Sequence, residues 1–206
     1  MKVPILSELK SRGEHPEYLF WIGCAGSFDD RAKKVTKAFV KILNKANISY
    51  AILGKEESCT GDPAKRSGNE FLFQMKAISN IEILNSYDVK KIITTCPHCF
   101  NTLKNEYPDL GGNYEVIHHT TLINNLVKEN KISISGGYYK GKKITYHDPC
   151  YLGRANGIYE APRDVIKKLD AELVEMKSCK SKSLCCGAGG CLLYTSPSQR
   201  DRISSR

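Results

Sequence analysis

Seven cysteines of this chain fall into two sets whose spacing repeats. They are Cys24, Cys59, Cys96, Cys99, Cys150, Cys185 and Cys186. The 35 positions that separate the first two also separate Cys150 from Cys185, and the second pair lies 126 positions after the first. A spacing that recurs at a constant offset indicates a duplicated unit. Because thiolates are the ligands of structural zinc and of iron–sulfur clusters, the pattern predicts a duplicated metal-binding unit.

The two copies of this unit do not carry the same cysteines. Thr60 stands in the first copy where Cys186 stands in the second. The first copy therefore offers four candidate ligands: Cys24, Cys59, Cys96 and Cys99. The second offers Cys150, Cys185 and Cys186, because a pair matching the Cys-x-x-Cys of the first copy would fall near positions 222 and 225, beyond Arg206. We therefore expect the second copy to be truncated.

Composition excludes several classes of protein. Hydrophobic residues make up 41% and charged residues 26% of the 206 positions, which is typical of a globular protein with a core. No run approaches the roughly 18 apolar residues of a membrane span, and the first residues lack the apolar core of a secretory signal. The net charge of +9 is spread over single basic residues and short pairs, so we expect no nucleic-acid partner. Nine cysteines in a cytoplasmic protein indicate metal binding rather than a disulfide framework.

Strand and helix patterns alternate along the chain, which predicts an α/β fold with mostly parallel strands. Short apolar runs predict strands at 18–22, 49–53, 91–95, 114–118, 143–147 and 172–175. Helical spacing predicts helices near 35–43, 63–85, 121–129 and 161–169. The cysteines follow strands directly, where open α/β sheets place their sites.

The predicted organisation is two tandem α/β units, of which the second is incomplete. Residues 1–17 form an N-terminal arm, 18–130 the first unit and 143–190 the second. The composition changes after Gly190, and residues 191–206 resemble the translation of a transposase adapter used in sequencing libraries. We therefore predict that this tail is not native and that Cys191 is no ligand.

The cysteines alone leave three chemistries open. An iron–sulfur cluster explains all of the first set. A zinc-stabilised interaction module is the second alternative, although gaps of 35 and 37 positions are unlike those of zinc knuckles. A thiol–disulfide oxidoreductase is the third, because Cys96-Pro97-His98-Cys99 resembles the dithiol of thioredoxin-like proteins. That dithiol does not explain Cys24 or Cys59.

The full pattern resembles the cysteine-rich CCG domain of heterodisulfide reductase B-type subunits and related oxidation complexes. The strings at 21–26, 147–154 and 185–190 carry the resemblance. It implies an iron–sulfur electron-transfer subunit of an oxidoreductase complex rather than a stand-alone enzyme. The resemblance also implies a flavin or iron–sulfur redox protein as the partner. Any association with a membrane would be peripheral and through that partner, without a transmembrane segment of this chain.

The resemblance also implies which cofactor each cysteine set would hold. Five thiolates bind a non-cubane cluster in some members of the family. The four of the first set instead favour one ordinary four-iron, four-sulfur (4Fe-4S) cluster. Cys150, Cys185 and Cys186 would belong to a second cluster in the full-length protein.

Overall fold

The computed structural model describes residues 3–134 and 137–187, and its strands form two parallel sheets. The larger sheet contains β1 (Tyr18–Trp21), β2 (Tyr50–Ala51), β3 (Lys91–Thr94) and β4 (Glu115–His118) in the order β2-β1-β3-β4. The smaller sheet pairs β5 (Lys143–Ile144) with β6 (Glu172–Leu173). All of these pairings are parallel, so the predicted α/β class and strand direction are confirmed.

Eight α-helices connect or flank these strands within the described residues. They are α1 (Leu6–Ser11), α2 (Gly23–Phe28), α3 (Asp30–Lys45), α4 (Asp62–Arg66), α5 (Glu70–Ser86), α6 (Pro97–Asn101), α7 (His119–Lys128) and α8 (Glu160–Lys167). The chain continues from α6 through a π-helical turn, Thr102–Glu106, into a 3-10 turn, Tyr107–Leu110. Helices are therefore present in each of the four predicted ranges, with shifted ends.

The larger sheet is buried on both faces. Successive residues of a strand point to opposite faces, and Phe20 and Trp21 in β1 are both fully buried. Trp21 packs with Phe73 of α5, whereas Phe20 packs with Phe39 of α3 and Leu122 of α7. Helices thus cover the sheet on both sides, which explains why its strands are continuous apolar runs rather than alternating ones.

Two local predictions are wrong. The helix predicted over 63–85 is divided into α4 and α5, because Gly68 adopts a left-handed φ of +79° and the Asn69 side chain caps α5 by accepting the Leu72 N–H. The polar segment at residues 3–17 is not a free arm. It contains α1, whose Leu6 is only 4% exposed, and Ile5 forms a parallel bridge with Ile52.

His118, at the end of β4, makes stability depend on pH. It is buried, its Nδ1 lies 2.7 Å from the Thr120 hydroxyl and its Nε2 lies 3.3 Å from the Thr95 carbonyl oxygen. Burial, with the neighbouring His119, lowers its pKa to about 3. An unfolded histidine titrates near pH 6.5, so below that pH the unfolded chain binds a proton that the folded chain does not.

We expect the free energy of unfolding to fall by about 1.5 kcal/mol between about pH 6.5 and about pH 5 because of His118 alone. Urea unfolding at a series of pH values measures this. In His118→Gln that part of the dependence should disappear, whereas in His15→Gln, at an exposed histidine, it should remain. An unchanged pH dependence in His118→Gln would contradict the prediction.

Candidate metal centre

The four cysteines of the first set lie at the carboxyl ends of three parallel strands. Cys24 is the second residue of α2, which follows β1, and Cys59 lies in the loop after β2. Cys96 follows β3, and Cys99 lies in α6. Because β2, β1 and β3 are adjacent and parallel, their carboxyl ends meet at one edge of the sheet. The fold therefore brings together the segments that carry these cysteines.

Contacts between side chains show that these thiols share one region. The Cys96 and Cys99 thiols are hydrogen-bonded to each other. A methyl group added to Gly23, the residue before Cys24, would come within 3.2 Å of Cys99 Sγ, and the φ of Gly23 is +77°. Only glycine fits this position without strain. Burial raises the pKa of Cys24, and so do the neighbouring Cys59 and Cys96 thiols.

Cys96 is better prepared to ionise than Cys24 or Cys99. Its pKa is lowered by the hydrogen bond from the Cys99 thiol and by the backbone N–H groups of His98 and Cys99 at the start of α6, although burial opposes this. The same hydrogen bond, with burial, raises the pKa of Cys99 well above its ordinary value. Metals bind the thiolate, so of these two candidate ligands Cys96 ionises more readily than Cys99.

Glu57 joins the segment that carries Cys59 to the neighbouring segment that carries Cys24. Its carboxylate accepts hydrogen bonds from the backbone N–H groups of Ile22, at 3.0 Å, and Gly23, at 2.6 Å. Burial raises its pKa to about 7, although the two N–H donors act in the opposite direction. Because Glu57 stands two positions before Cys59 and bonds the turn before Cys24, it fixes how these two thiols face each other.

His98 lies between the candidate ligands Cys96 and Cys99 in the sequence, and its ring is hydrogen-bonded to a buried carboxylate. Its Nδ1 lies 2.9 Å from Asp62 Oδ2, and Asp62 is only 1% exposed. This hydrogen bond raises the pKa of His98. Asp62 also accepts from Arg66 Nε at 3.1 Å within α4, so it is the Asp62–His98 bond that joins α4 to α6. The network fixes the start of α6 and therefore the direction of the Cys96 and Cys99 side chains.

The cavity beside Cys24 and Cys59 is larger than a single metal ion needs. A cavity of about 400 Å³ is lined by Cys24, Cys59, Phe28 and Glu57, whereas a water molecule occupies roughly 30 Å³. Within the described residues, no three His, Cys, Asp or Glu side chains are arranged to hold a single metal ion. A four-iron cluster takes one thiolate at each iron, so its ligands need not converge on one atom.

The second cysteine set is held by hydrogen bonds between two loops. The Asp148 carbonyl accepts from the Ser183 hydroxyl at 3.1 Å, and His147 Nε2 lies 2.8 Å from the Leu184 carbonyl oxygen. These bonds join the residue pair before Cys150 to the residues before Cys185. Burial and the nearby Cys185 and Cys186 thiols raise the pKa of Cys150, although Arg154 acts in the opposite direction. The structure therefore brings all three predicted ligands of this set together.

The two cysteine sets are neighbours. Leu152, two residues after Cys150, is fully buried in the same core cluster as Phe100 and Tyr107 of the first unit. Tyr151 packs edge-to-face on His98, with 4.7 Å between the ring centroids. The turn after Cys150 is thus packed against the helix that carries Cys96 and Cys99.

Several residues of the site were not predicted from the sequence. They are Glu57, Asp62, Asn80, Tyr107 and Arg163, all of which make buried or partly buried polar contacts. One signal was available for Asn80, which stands among Phe73, Ala77 and Leu84 on the buried face of α5. A polar residue in the middle of an apolar helix face indicates a specific buried hydrogen bond.

Comparison with known proteins identifies a family. The model of the cysteine-rich domain called CCG matches residues 18–104 and 144–204. The two matches correspond to the two copies expected from the cysteine spacing. The second match runs to residue 204, beyond Gly190, where the composition changes. Residues 191–206, with Cys191, lie outside the described residues, and their adapter origin stays a prediction.

The individual relatives are longer than this chain, and their names describe oxidoreductases. An EtfAB:quinone oxidoreductase of Syntrophomonas wolfei is 50% identical over 182 residues, which are 88% of this chain and 25% of that protein. A probable iron-sulfur-binding oxidoreductase, FadF, of Bacillus subtilis is 45% identical over 98% of this chain and 29% of its own length. One component of the dihydromethanophenazine:CoB–CoM heterodisulfide reductase of Methanosarcina mazei is 33% identical over 84% of this chain and 43% of its own length. The chain thus spans less than half of each. None of its described helices is long and apolar enough to cross a membrane.

Proposed function

The chain belongs to the cysteine-rich CCG domain family, and on that premise we propose that it is part of an iron–sulfur electron-transfer subunit of an oxidoreductase complex. The convergence of Cys24, Cys59, Cys96 and Cys99 at one edge of the larger sheet carries the proposal. The names of the relatives, which describe oxidoreductases, support the proposal. An iron–sulfur cluster bound there supplies one-electron redox chemistry.

The residues of the first site suit a 4Fe-4S cluster. Four thiols are available, one for each iron, and Thr60 takes the place of a fifth. Glu57 and the Asp62–His98 pair fix the segments that carry the thiols, so little chain entropy remains to be lost when a cluster binds. The cavity beside Cys24 and Cys59 supports the proposal with space next to two of the four thiols.

The second site would hold another cluster in a longer protein. Cys150, Cys185 and Cys186 supply three thiolates, and we propose that a further ligand pair completes the set. The packing of Tyr151 on His98 supports a position of this site next to the first. Electrons would pass between the two sites and onward to a flavin or iron–sulfur partner in the cytoplasm, where thiols remain reduced.

One observation favours a second candidate function, a thiol–disulfide oxidoreductase. The lowered pKa of Cys96, hydrogen-bonded to Cys99 at the start of α6, is the arrangement of a nucleophilic dithiol. In that case Cys96 would attack a disulfide and Cys99 would resolve the mixed disulfide. The positions of Cys24 and Cys59 beside this pair would then have no function.

Iron and acid-labile sulfide analysis of anaerobically purified chain tests the proposal. We expect iron and sulfide in equal amounts, about four of each per chain for one 4Fe-4S cluster, together with an electron paramagnetic resonance signal after reduction. Zinc without sulfide would support the interaction module instead. Colourless protein that reduces insulin disulfides would support the dithiol and overturn the proposal.

A further inference from the structure

Thr60 occupies the position at which the second copy of the motif has a cysteine. In the structure, the Thr60 hydroxyl donates a hydrogen bond to a thiol. Thr60 is 2% exposed, and its Oγ1 lies 4.0 Å from Cys99 Sγ, to which it donates a hydrogen bond. Thr60, which replaces a fifth cysteine, thus contacts Cys99, one of the four candidate ligands of the first set.

The backbone around Thr60 is fixed by a buried chain of hydrogen bonds. The Thr60 carbonyl accepts from the Tyr107 hydroxyl at 3.1 Å. Asn80 Nδ2 donates to the Tyr107 oxygen and to the Cys59 carbonyl, each at 3.0 Å. Asn80 and Tyr107 are fully buried, so water does not compete for these bonds.

Gly61, the residue after Thr60, also restricts the movement of this segment. Its φ is +87°, and a methyl group there would come within 3.2 Å of the Phe73 carbonyl oxygen. Neither the residue before Thr60 nor the one after it can therefore shift freely. With the backbone held, only rotation about χ1 can move the hydroxyl away from the Cys99 sulfur.

We propose that Thr60 is a positioning residue for the first cluster and sets its reduction potential through the Cys99 thiolate. This inference rests on the proposed function. A hydrogen bond to a ligating sulfur withdraws electron density from it and stabilises the reduced, more negatively charged state. The reduction potential of the first site is therefore more positive than that of the same four thiolates without the donor.

The test compares Thr60→Val with Thr60→Ser in the full chain, reconstituted anaerobically. Valine has nearly the shape of threonine but no hydroxyl, whereas serine keeps the donor. A redox titration followed by electron paramagnetic resonance should show a more negative potential in Thr60→Val and a potential close to that of the parent in Thr60→Ser. Iron content should be the same in all three proteins, and thermal unfolding of the cluster-free chains shows whether each variant folds.

A crosslink tests the contact without iron. In the cluster-free double variant Thr60→Cys, Cys96→Ser, in which Cys96 cannot compete for Cys99, oxidised glutathione should produce a disulfide between the introduced thiol and Cys99, detected by mass spectrometry after digestion. Two thiols then lose two protons and two electrons, and the oxidant becomes two molecules of glutathione. A folded variant without this crosslink would overturn the inference.

The potentials separate this inference from the proposed function. Equal potentials in Thr60→Val and the parent, or equal shifts in both variants, would overturn the role of the hydroxyl and leave the cluster assignment intact. A parent protein that binds no iron and sulfide would overturn both. A negative shift confined to Thr60→Val, with rescue in Thr60→Ser, would support the inference, because a merely structural role would not change the potential.

Discussion

Cys24→Ser or Cys59→Ser protein, prepared anaerobically, should lose most of the iron that the parent chain binds. Each change removes one of only four thiolates and opens the coordination shell of one iron. Loss of residues that merely orient ligands costs about 10–100-fold in metal affinity, and loss of a ligand should cost at least as much. Iron and sulfide analysis, with the reduced-state resonance signal, measures the effect.

Cys179→Ser is the matched control for these variants. Cys179 is partly buried like Cys59 but belongs to neither repeated set, so its replacement should leave the iron content unchanged. The dithiol function predicts the reverse dependence, because only Cys96 and Cys99 would be required. Iron-free parent protein whose insulin-reducing activity survives in both Cys24→Ser and Cys59→Ser would therefore reverse the assignment.

Much of the fold could be predicted because parallel strands are buried on both faces. The apolar run that contains β1 is continuous, and its length and position follow from the local sequence. Strand ends were less predictable. The strand expected over 143–147 pairs only at Lys143–Ile144, because His147 instead bonds to the loop at Leu184. Such a loop contact depends on tertiary structure and leaves no local pattern.

The exposed face of α5 shows another limit of sequence patterns. Phe71, Met75 and Ile78 have helical spacing, yet they are 75%, 54% and 45% exposed. The buried face instead presents Phe73 and Ala77. A helix with apolar residues on both faces gives no periodic signal that distinguishes inside from outside.

The candidate ligands could be proposed from spacing, whereas the residues that hold them could not. A cysteine is rare, so a repeated interval of 35 positions is informative. Glutamate is common, and nothing in the sequence shows that Glu57, unlike exposed Glu56, would turn inward to the N–H groups of Gly23 and its neighbour. Long-range polar contacts of this kind are specified by the folded chain as a whole.

Arg163 of α8 organises the second cysteine set, and its role leads to the other large prediction. Its side chain is only 2% exposed, and it donates two hydrogen bonds of 2.7 Å to Asp148. It also donates to Glu175 at 2.6 and 3.0 Å. Asp148 is 1% exposed and additionally accepts from the Lys180 N–H at 2.6 Å. The hydrogen bond from Arg163 holds the pKa of Asp148 below its usual value.

Arg163→Ala should lower the free energy of unfolding by about 3–5 kcal/mol, because it leaves the buried Asp148 carboxylate without its partner. Lys167→Ala, at an exposed position of the same helix, should change it by less than about 0.5 kcal/mol. Urea unfolding measures both values. Since Asp148 lies two positions before Cys150, alkylation of Cys150 in the cluster-free chain should also become faster in Arg163→Ala only. A loss of stability no greater than that of Lys167→Ala, with unchanged alkylation, would show that this buried ion pair does not hold the second cysteine loop.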